Sequence, residues 1–213
     1  THLSFSGLLT PPESADGSWS LALESGAGVF GSERPGETDI AIARTQIEAR
    51  LSPLAKAFTI DRFLLEGPQL SFALSGEGSV APGMRRLSLK AEASDTNANT
   101  IVRLWPSPVA PPVRAYLLAR MTGGKLVRGN ISVELDETAF EAISQQQAIA
   151  DGAVRVEYEL ANVQLSYLDG VPPLSGVSGT GLVTGGSAHF AAREGFLDLG
   201  PRGRLTVAEG RFD

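Results

Sequence analysis

The sequence predicts a mainly β protein: a long, strongly curved antiparallel sheet, groove-like in form, with two short helices inserted mid-chain. Apolar and polar residues alternate along most of the 213 residues, and glycine or proline pairs separate the alternating stretches. One stretch, residues 154–168, would span roughly 50 Å as a single strand. Strands commonly run only about 5–6 residues, so a stretch of this length with a bend favours a curved, wrapping sheet.

Composition limits the classes of function. The net charge of −6 disfavours nucleic acid as a partner, since phosphate binding needs a concentrated basic face. The absence of cysteine excludes a disulfide framework and a thiolate metal site. The two histidines, His2 and His189, are far apart in sequence, so metal or general-base chemistry would rest on carboxylates or on one histidine alone. We therefore expect no cofactor and no metal site.

Neither a membrane helix nor a signal peptide is predicted. No apolar run reaches the roughly 18–20 residues that a membrane-spanning helix needs. The chain opens and closes in strand-like sequence without an initiator methionine. We therefore expect it to be a central piece of a longer protein.

Residues 1–94 predict a β-meander with short Gly/Pro turns. The alternation of residues 3–9 and 19–24 predicts a hairpin, and 38–51 predicts one long strand with a change of phase. Two further strands present an apolar side through Leu70, Phe72 and Leu74, and through Leu87 and Leu89.

A glycine motif in this region invites a nucleotide-binding interpretation. Residues 26–31 match the G-x-G-x-x-G spacing of dinucleotide sites. The pyrophosphate would need a helix N-terminus directly after the motif, whereas residues 32–37 are turn sequence without a helical apolar period. We therefore interpret the motif as a loop.

Residues 95–213 predict a helix–strand–helix insert followed by a curved sheet segment, expected to be continuous with the first sheet. A helical turn or a short helix at 101–105 precedes a helix at 109–121, whose first turn carries prolines. A strand follows, and Asp136 is a favourable N-cap for a helix from 137 to about 147. Both helices are expected to be lids packed on the sheet.

The stretch from Val154 to Tyr167 is the central strand of this region. Its alternation changes phase by one residue near Ala161–Asn162, which predicts a bulge or bend. Seven side chains should therefore share one apolar side: Val154, Val156, Tyr158, Leu160, Val163, Leu165 and Tyr167.

Two motifs in this half of the chain suggest a family. Leu104-Trp105-Pro106 precedes a short helix and the pair Gly123-Gly124, and residues 167–180 contain a Tyr-Leu, Gly, Pro-Pro-Leu and Gly-Thr series. Together they resemble the AsmA-like superfamily of Gram-negative envelope proteins, in particular its YhdP/TamB-like branch of repeated β-groove units. The resemblance is best over 95–213, and the matching positions are turn, cap and packing positions rather than catalytic ones.

The resemblance implies a function that composition does not. Such proteins are anchored in the inner membrane, cross the periplasm, and carry phospholipid acyl chains between the inner and outer membranes in an apolar groove. It implies a non-catalytic segment whose partners are phospholipid and the flanking segments of its own parent chain. The candidate groove residues are Leu70, Phe72, Leu74, Leu87, Leu89, Val154, Val156, Tyr158, Leu160, Val163, Leu165 and Tyr167.

Other interpretations stay open at this point. From the pattern alone, these apolar strand faces are ordinary core, packed against a second sheet or a helix. The chain could instead be an envelope β-domain that binds another protein by adding a strand at an exposed sheet edge. A hydrolase would need a carboxylate couple such as Glu157 and Glu159, but like charges on a solvated strand face are far commoner.

Overall fold

A computed structural model describes residues 3–31, 39–104, 111–145 and 147–212. Six sequence predictions fall wholly or partly outside these residues. They are the turn at 32–37, the strand start at Thr38, the helical turn at 101–105, the Trp105-Pro106 pair, the helix start at Val109 and the last turn of the helix at 137–147.

The described residues are mainly β, as predicted. The strands are β1 (Phe5–Thr10), β2 (Trp19–Ser25), β3 (Gly28–Phe30), β4 (Ile40–Ile42), β5 (Arg44–Ser52), β6 (Ala57–Gly67), β7 (Leu70–Ser79), β8 (Arg86–Asn97), β9 (Met121–Thr122), β10 (Lys125–Leu135), β11 (Val154–Leu165), β12 (Leu174–Thr184), β13 (Ala188–Asp198), β14 (Arg204–Val207) and β15 (Gly210–Phe212). The helices are α1 (Ala98–Leu104), α2 (Pro111–Arg120) and α3 (Glu137–Ser144).

Thirteen of the strands form one sheet in the order β1-β2-β5-β6-β7-β8-β10-β11-β12-β13-β14, with β15 also pairing β13 and β9 pairing β11. Strands β3 and β4 form a separate two-stranded sheet. The large antiparallel sheet confirms the predicted fold class, while its strong curvature stays a prediction. A third helix joins the two predicted ones, since α1 is a helix of seven residues where a helical turn or a short helix was expected.

The two predicted phase changes have different structural causes. The stretch 38–51 was predicted as one strand, which is wrong: β4 and β5 belong to different sheets. The chain changes sheet at Ala43, whose N–H donates to the Glu66 carbonyl at 2.7 Å. By contrast, β11 is continuous, and Asn162 within it has a φ of +55°. Its N–H donates to Ser178 Oγ at 3.2 Å, so the irregularity lies where the sequence predicted it.

The chain divides into two compact units. The first unit comprises residues 1–93, 130–156 and 184–186, and the second comprises 94–129, 157–183 and 187–213. The sequence-based division at residue 94 stays a prediction.

Helix α3 belongs to the first unit and begins as predicted. The Asp136 carboxylate accepts a hydrogen bond from the Ala139 N–H at 2.8 Å, which satisfies one of the free donors of the first turn. Glu137 accepts from both the backbone N–H and the guanidinium of Arg85, on the turn before β8. The helix is thus attached to the sheet through its first turn.

Helices α1 and α2 belong to the second unit, which contains a buried hydrophobic cluster. Leu117 and Leu118 of α2 pack against this cluster from outside. Its buried members come from α1, β9, β11, β12 and β13: Ala98, Val102, Met121, Val163, Leu174, Val177 and Ala192. The predicted lid role of the helix at 111–120 is therefore consistent with what its side chains contact.

Candidate functional site

The first unit has one continuous apolar sheet face, assembled from six neighbouring strands. Directly paired residues of antiparallel strands point to the same side of a sheet, so the pairing registers define its members. Successive cross-strand partners form apolar rows across the sheet. Two such rows are Leu9–Leu21–Ala49–Ile60 and Trp19–Leu51–Phe58. The apolar face comprises Phe5, Leu9, Trp19, Leu21, Leu23, Ile47, Ala49, Leu51, Phe58, Ile60, Phe63, Leu65, Phe72, Leu74, Leu87, Leu89, Ala91 and Ala93.

A bulge in β6 keeps this face continuous. Ala49 pairs with Ile60 and Glu48 pairs with Arg62, so Asp61 is an extra residue in β6. Without it, strict alternation would place Ile60 and Phe63 on opposite sides of the sheet. The bulge returns both side chains to the apolar face.

The opposite face of the same strands is polar. Arg50 and Asp61 form an ion pair at 2.6 Å, and Arg86 pairs with Glu77 at 2.5 Å. Ser88 Oγ donates to Glu134 at 2.7 Å. This side of the sheet is suited to water, and the sheet of the first unit is therefore amphipathic.

Side chains on the apolar face remain accessible over much of its area. Leu9 is 57% exposed and Leu51 is 53% exposed, while Leu21, Phe58 and Phe63 are half-buried. Burial is most complete at the end where Thr45, Leu70 and the two isoleucines of β4 lie, and Ala91 and Ala93 of β8 are also buried. A large apolar face that stays partly exposed is uncommon on a soluble monomer and marks a binding surface.

Strands β7 and β8 carry five of the predicted groove residues. Their registers put all five on the same side of the sheet, with Phe72 opposite Ala93 and Leu74 opposite Ala91. Four of these side chains, Phe72, Leu74, Leu87 and Leu89, are half-buried. Leu70 is only 2% exposed and lies at the covered end.

The β11 candidates are divided between the units. In the first unit, Val154 and Val156 are half-buried and alternate with the exposed Arg155. In the second unit, Val163 is 4% exposed within the buried cluster. Tyr158 is half-buried, and three further candidates pack against the cluster: Leu160, Leu165 and Tyr167.

Sequence reasoning did not assign the β1, β2, β5 and β6 side chains to the candidate site. The alternation of β1 and β2 was visible, and β5 was predicted as part of a longer strand, but no apolar side was assigned to β6. What was missing was the cross-strand register, which decides whether the apolar sides of separate strands coincide. The bulge at Asp61 also leaves no glycine or proline as a signal in the sequence.

Tyr158 and Phe190 form an aromatic pair in the second unit. Their rings are nearly parallel, at 8°, with centroids 6.1 Å apart. The tyrosine ring lies directly over Gly181, where an added Cβ would come within 2.0 Å of Tyr158 Cζ. Burial raises the pKa of the Tyr158 hydroxyl, so it stays protonated at neutral pH.

Glu159, on the other side of β11, is held by two arginines. Arg193 donates to one carboxylate oxygen at 2.7 Å and Arg128 to the other at 3.1 Å. The hydrogen bond from Arg193 is the main reason that the pKa of Glu159 is lowered. A general acid needs the opposite shift, so the geometry does not favour Glu157 and Glu159 as an acid/base couple.

We expect the Glu159 pairing to make stability pH-dependent. Its pKa is lower in the folded chain than in the unfolded chain, so its contribution is present above the unfolded value, about 4.3, and is lost as pH falls through the folded value. Glu159→Gln should therefore lose stability at pH 7 but much less at pH 3, measured by urea midpoints. Glu194→Gln, an exposed carboxylate on β13, is the control; equal behaviour of the two variants at both pH values would contradict the prediction.

Neither a metal cluster nor a membrane-spanning helix is present within the described ranges. No group of three or more histidine, aspartate or glutamate side chains there is arranged to hold a metal ion. Of the helices in the same residues, none combines the length and apolarity required to span a bilayer.

Comparisons of the chain with protein-family models, curated proteins and solved structures gave no match. The resemblance to the AsmA-like superfamily therefore stays a prediction from sequence motifs. The geometry of each unit is the remaining basis for proposing a function.

Proposed function

We propose that this chain is a non-catalytic segment that shelters phospholipid acyl chains during transport between the inner and outer membranes. In this proposal it belongs to a longer periplasmic bridge protein, anchored in the inner membrane and continued by flanking segments of the same chain. The observation that carries the proposal is the partly exposed apolar face of the first unit, continuous across six strands and backed by a polar face.

The size of this face suits an acyl chain. Six strands at about 4.8 Å spacing extend over roughly 24 Å across the sheet. The hydrocarbon core of a bilayer is about 30 Å thick for two leaflets, so one acyl chain needs about 15 Å. A single chain therefore fits across these strands with its full length on apolar side chains.

The energy of such binding needs no specific contact. Each methylene removed from water contributes about 0.8 kcal/mol, so a modest number of covered methylenes retains a lipid at micromolar concentration. Binding of this kind is non-directional, which allows a chain to slide along the face. The head group would stay at the solvent edge, where its hydration is preserved.

The direct test is lipid analysis of the purified protein. The chain is expressed, purified without detergent and extracted, and the extract is quantified by mass spectrometry against protein. About one or more phospholipids per chain is the expected result. Protein that is folded but free of lipid, and that takes up none from phospholipid vesicles, would overturn the proposal.

A second candidate function is protein binding at an exposed sheet edge. Strand β1 stands at one end of the strand order, pairs with β2 alone among the described strands, and has six exposed residues. Its outer N–H and C=O groups can accept an added strand from a flanking segment or another protein. Light scattering over a range of concentrations tests this: an association that Leu8→Lys abolishes supports it, and a strict monomer that binds no partner strand contradicts it.

A further inference from the structure

We propose that two neighbouring turns at one end of the first unit insert their apolar side chains into the surface of a phospholipid bilayer. The turns are residues 53–56, between β5 and β6, and residues 80–85, between β7 and β8. The inference adds a membrane contact to the proposed sheltering of acyl chains. It stands on residues outside the six-strand apolar face, so the contact and the sheltering can be tested separately.

Backbone hydrogen bonds close both turns and fix their shape. The Lys56 N–H donates to the Pro53 carbonyl at 3.1 Å, and the Met84 N–H donates to the Ala81 carbonyl at 2.9 Å. Gly83 follows a proline and has a φ of +75°, which is the pattern of a type II turn. The tips of both turns therefore have a defined backbone conformation.

The two turns lie side by side. Ala57 at the start of β6 pairs with Ser79 at the end of β7, so both turns leave the sheet at the same end. The Val80 N–H donates to the Lys56 carbonyl at 2.8 Å, which continues the pairing into the turns. Their side chains therefore belong to one surface of the first unit.

This surface has the highest concentration of exposed large apolar side chains in the described part of the chain. Met84 is 72% exposed, Leu54 is 71% exposed and Val80 is 63% exposed. Turn positions usually carry glycine, proline, asparagine, aspartate or serine, each of which favours the turn conformation. Leucine at such a tip does nothing for the turn and is unfavourable in water. A cluster of this kind marks an interaction surface.

The charges of the turns suit a lipid surface. Their only charged residues are Lys56 and Arg85, and Glu137 of α3 accepts a hydrogen bond from the Arg85 guanidinium. Insertion would therefore desolvate no carboxylate of either turn, and the Lys56 ammonium can extend towards lipid phosphates. Glu13 and Asp16 lie on the β1–β2 loop at the same end of the sheet. We therefore expect binding to depend mainly on the apolar side chains.

The size of the surface favours a bilayer over a protein partner. The two turns contain four and six residues, whereas a stable protein–protein interface involves about 20–30 residues on each side. A bilayer requires no such area, because each inserted side chain leaves water independently and the lipids adapt to its shape. Two short apolar turns are therefore enough for reversible membrane binding.

The test is co-sedimentation with large unilamellar vesicles of phosphatidylcholine, with and without phosphatidylglycerol. The wild-type chain should sediment with the vesicles. Leu54→Asp combined with Met84→Asp should lower the partition coefficient at least about 10-fold, since burial of a single such side chain provides that much. Leu8→Asp is the matched control, because Leu8 is 67% exposed but lies within β1 rather than on a turn. This variant should bind as the wild type does.

The contribution of Lys56 can be measured without disturbing the turn. Its φ is +49°, which glycine adopts without strain, so Lys56→Gly should be at least as stable as the wild type. The variant should bind vesicles that contain phosphatidylglycerol about 5-fold more weakly at low salt. Its binding to phosphatidylcholine alone should change little.

The absence of cysteine allows insertion to be observed at single positions. Met84→Cys and Leu8→Cys are each labelled with an environment-sensitive nitrobenzoxadiazole fluorophore. The label at position 84 should shift to shorter wavelength when vesicles are added, and spin-labelled acyl chains should quench it. The label at position 8 should do neither.

The outcomes separate this inference from the proposed function. All of these variants should melt close to the wild-type temperature, because the altered side chains are exposed. The double variant at Leu54 and Met84 should retain the lipid that co-purifies with the chain. A wild-type chain that stays in the supernatant, or a double variant that binds as the wild type does, would overturn the membrane contact. Self-association through the turns in place of vesicle binding would overturn it as well. A chain that binds vesicles but neither carries nor takes up lipid would instead overturn the proposed function alone.

Discussion

Replacing Leu9 and Leu51 together with aspartate is expected to abolish phospholipid recovery while leaving the chain folded. Both side chains lie on the apolar face of the first unit and are more than half exposed. Carboxylates there would have to be desolvated against an acyl chain, at a cost of several kcal/mol. The same carboxylates reach water in the lipid-free chain, so folding should lose at most about 1 kcal/mol.

The matched control carries the same charges on the other side of the same sheet. Ser20→Asp and Ala22→Asp alter two exposed positions of β2 whose side chains point to the polar face. This double variant should retain wild-type lipid content. Lipid is quantified per chain by mass spectrometry, and folding by circular dichroism and thermal melting. Equal lipid in the two double variants would contradict the assignment of the apolar face.

The sequence could predict this face strand by strand but not as a whole. Period-two alternation identifies the apolar side of a strand such as β7, because the side-chain period of an extended chain is fixed. Alternation does not show that Leu21 pairs with Ala49, or Ala49 with Ile60, since cross-strand pairing depends on register. Register depends in turn on the Asp61 bulge, which involves a single ordinary residue.

The two phase changes show the same limit. A one-residue change of phase has two physical solutions: a bulge within one strand, or a break where the chain leaves one sheet for another. The chain adopts the first at Asn162 and the second at Ala43. Both look alike in the sequence, because the choice depends on partner strands. Asparagine tolerates a positive φ better than most residues, and this was the available local signal.

Alternation also could not show which apolar side chains are buried beneath other elements of the fold. Val163 and Leu51 both stand at apolar positions of a predicted strand, but one is 4% exposed and the other 53%. The difference arises from what lies over each side chain. Val163 is in the cluster that includes Ala98 and Val102 of α1 and that α2 packs against. Whether a helix closes over a strand depends on tertiary packing, which a strand pattern does not encode.

Replacing Val163 with aspartate is therefore expected to destabilise the chain strongly, by about 3–5 kcal/mol in the free energy of unfolding. The side chain is surrounded by Val102, Met121, Val177 and other buried apolar groups. An added Cβ at Gly124 would lie only 2.5 Å from Val163 Cγ2, which shows how closely the β9–β10 turn approaches it. A carboxylate here has no cation to pair with among the cluster residues, so its desolvation is uncompensated.

Gln164→Asp is the matched control, because Gln164 is the next residue of β11 and is exposed. It adds the same charge one position along the strand and should change the unfolding free energy by at most about 0.5 kcal/mol. Urea denaturation followed by circular dichroism measures both variants. If Val163→Asp is as stable as Gln164→Asp, the position is open to water and belongs to a binding face. A large loss for Val163→Asp, beside a small one for the Leu9 and Leu51 double variant, would establish that one unit closes its apolar face with helices while the other leaves its face accessible.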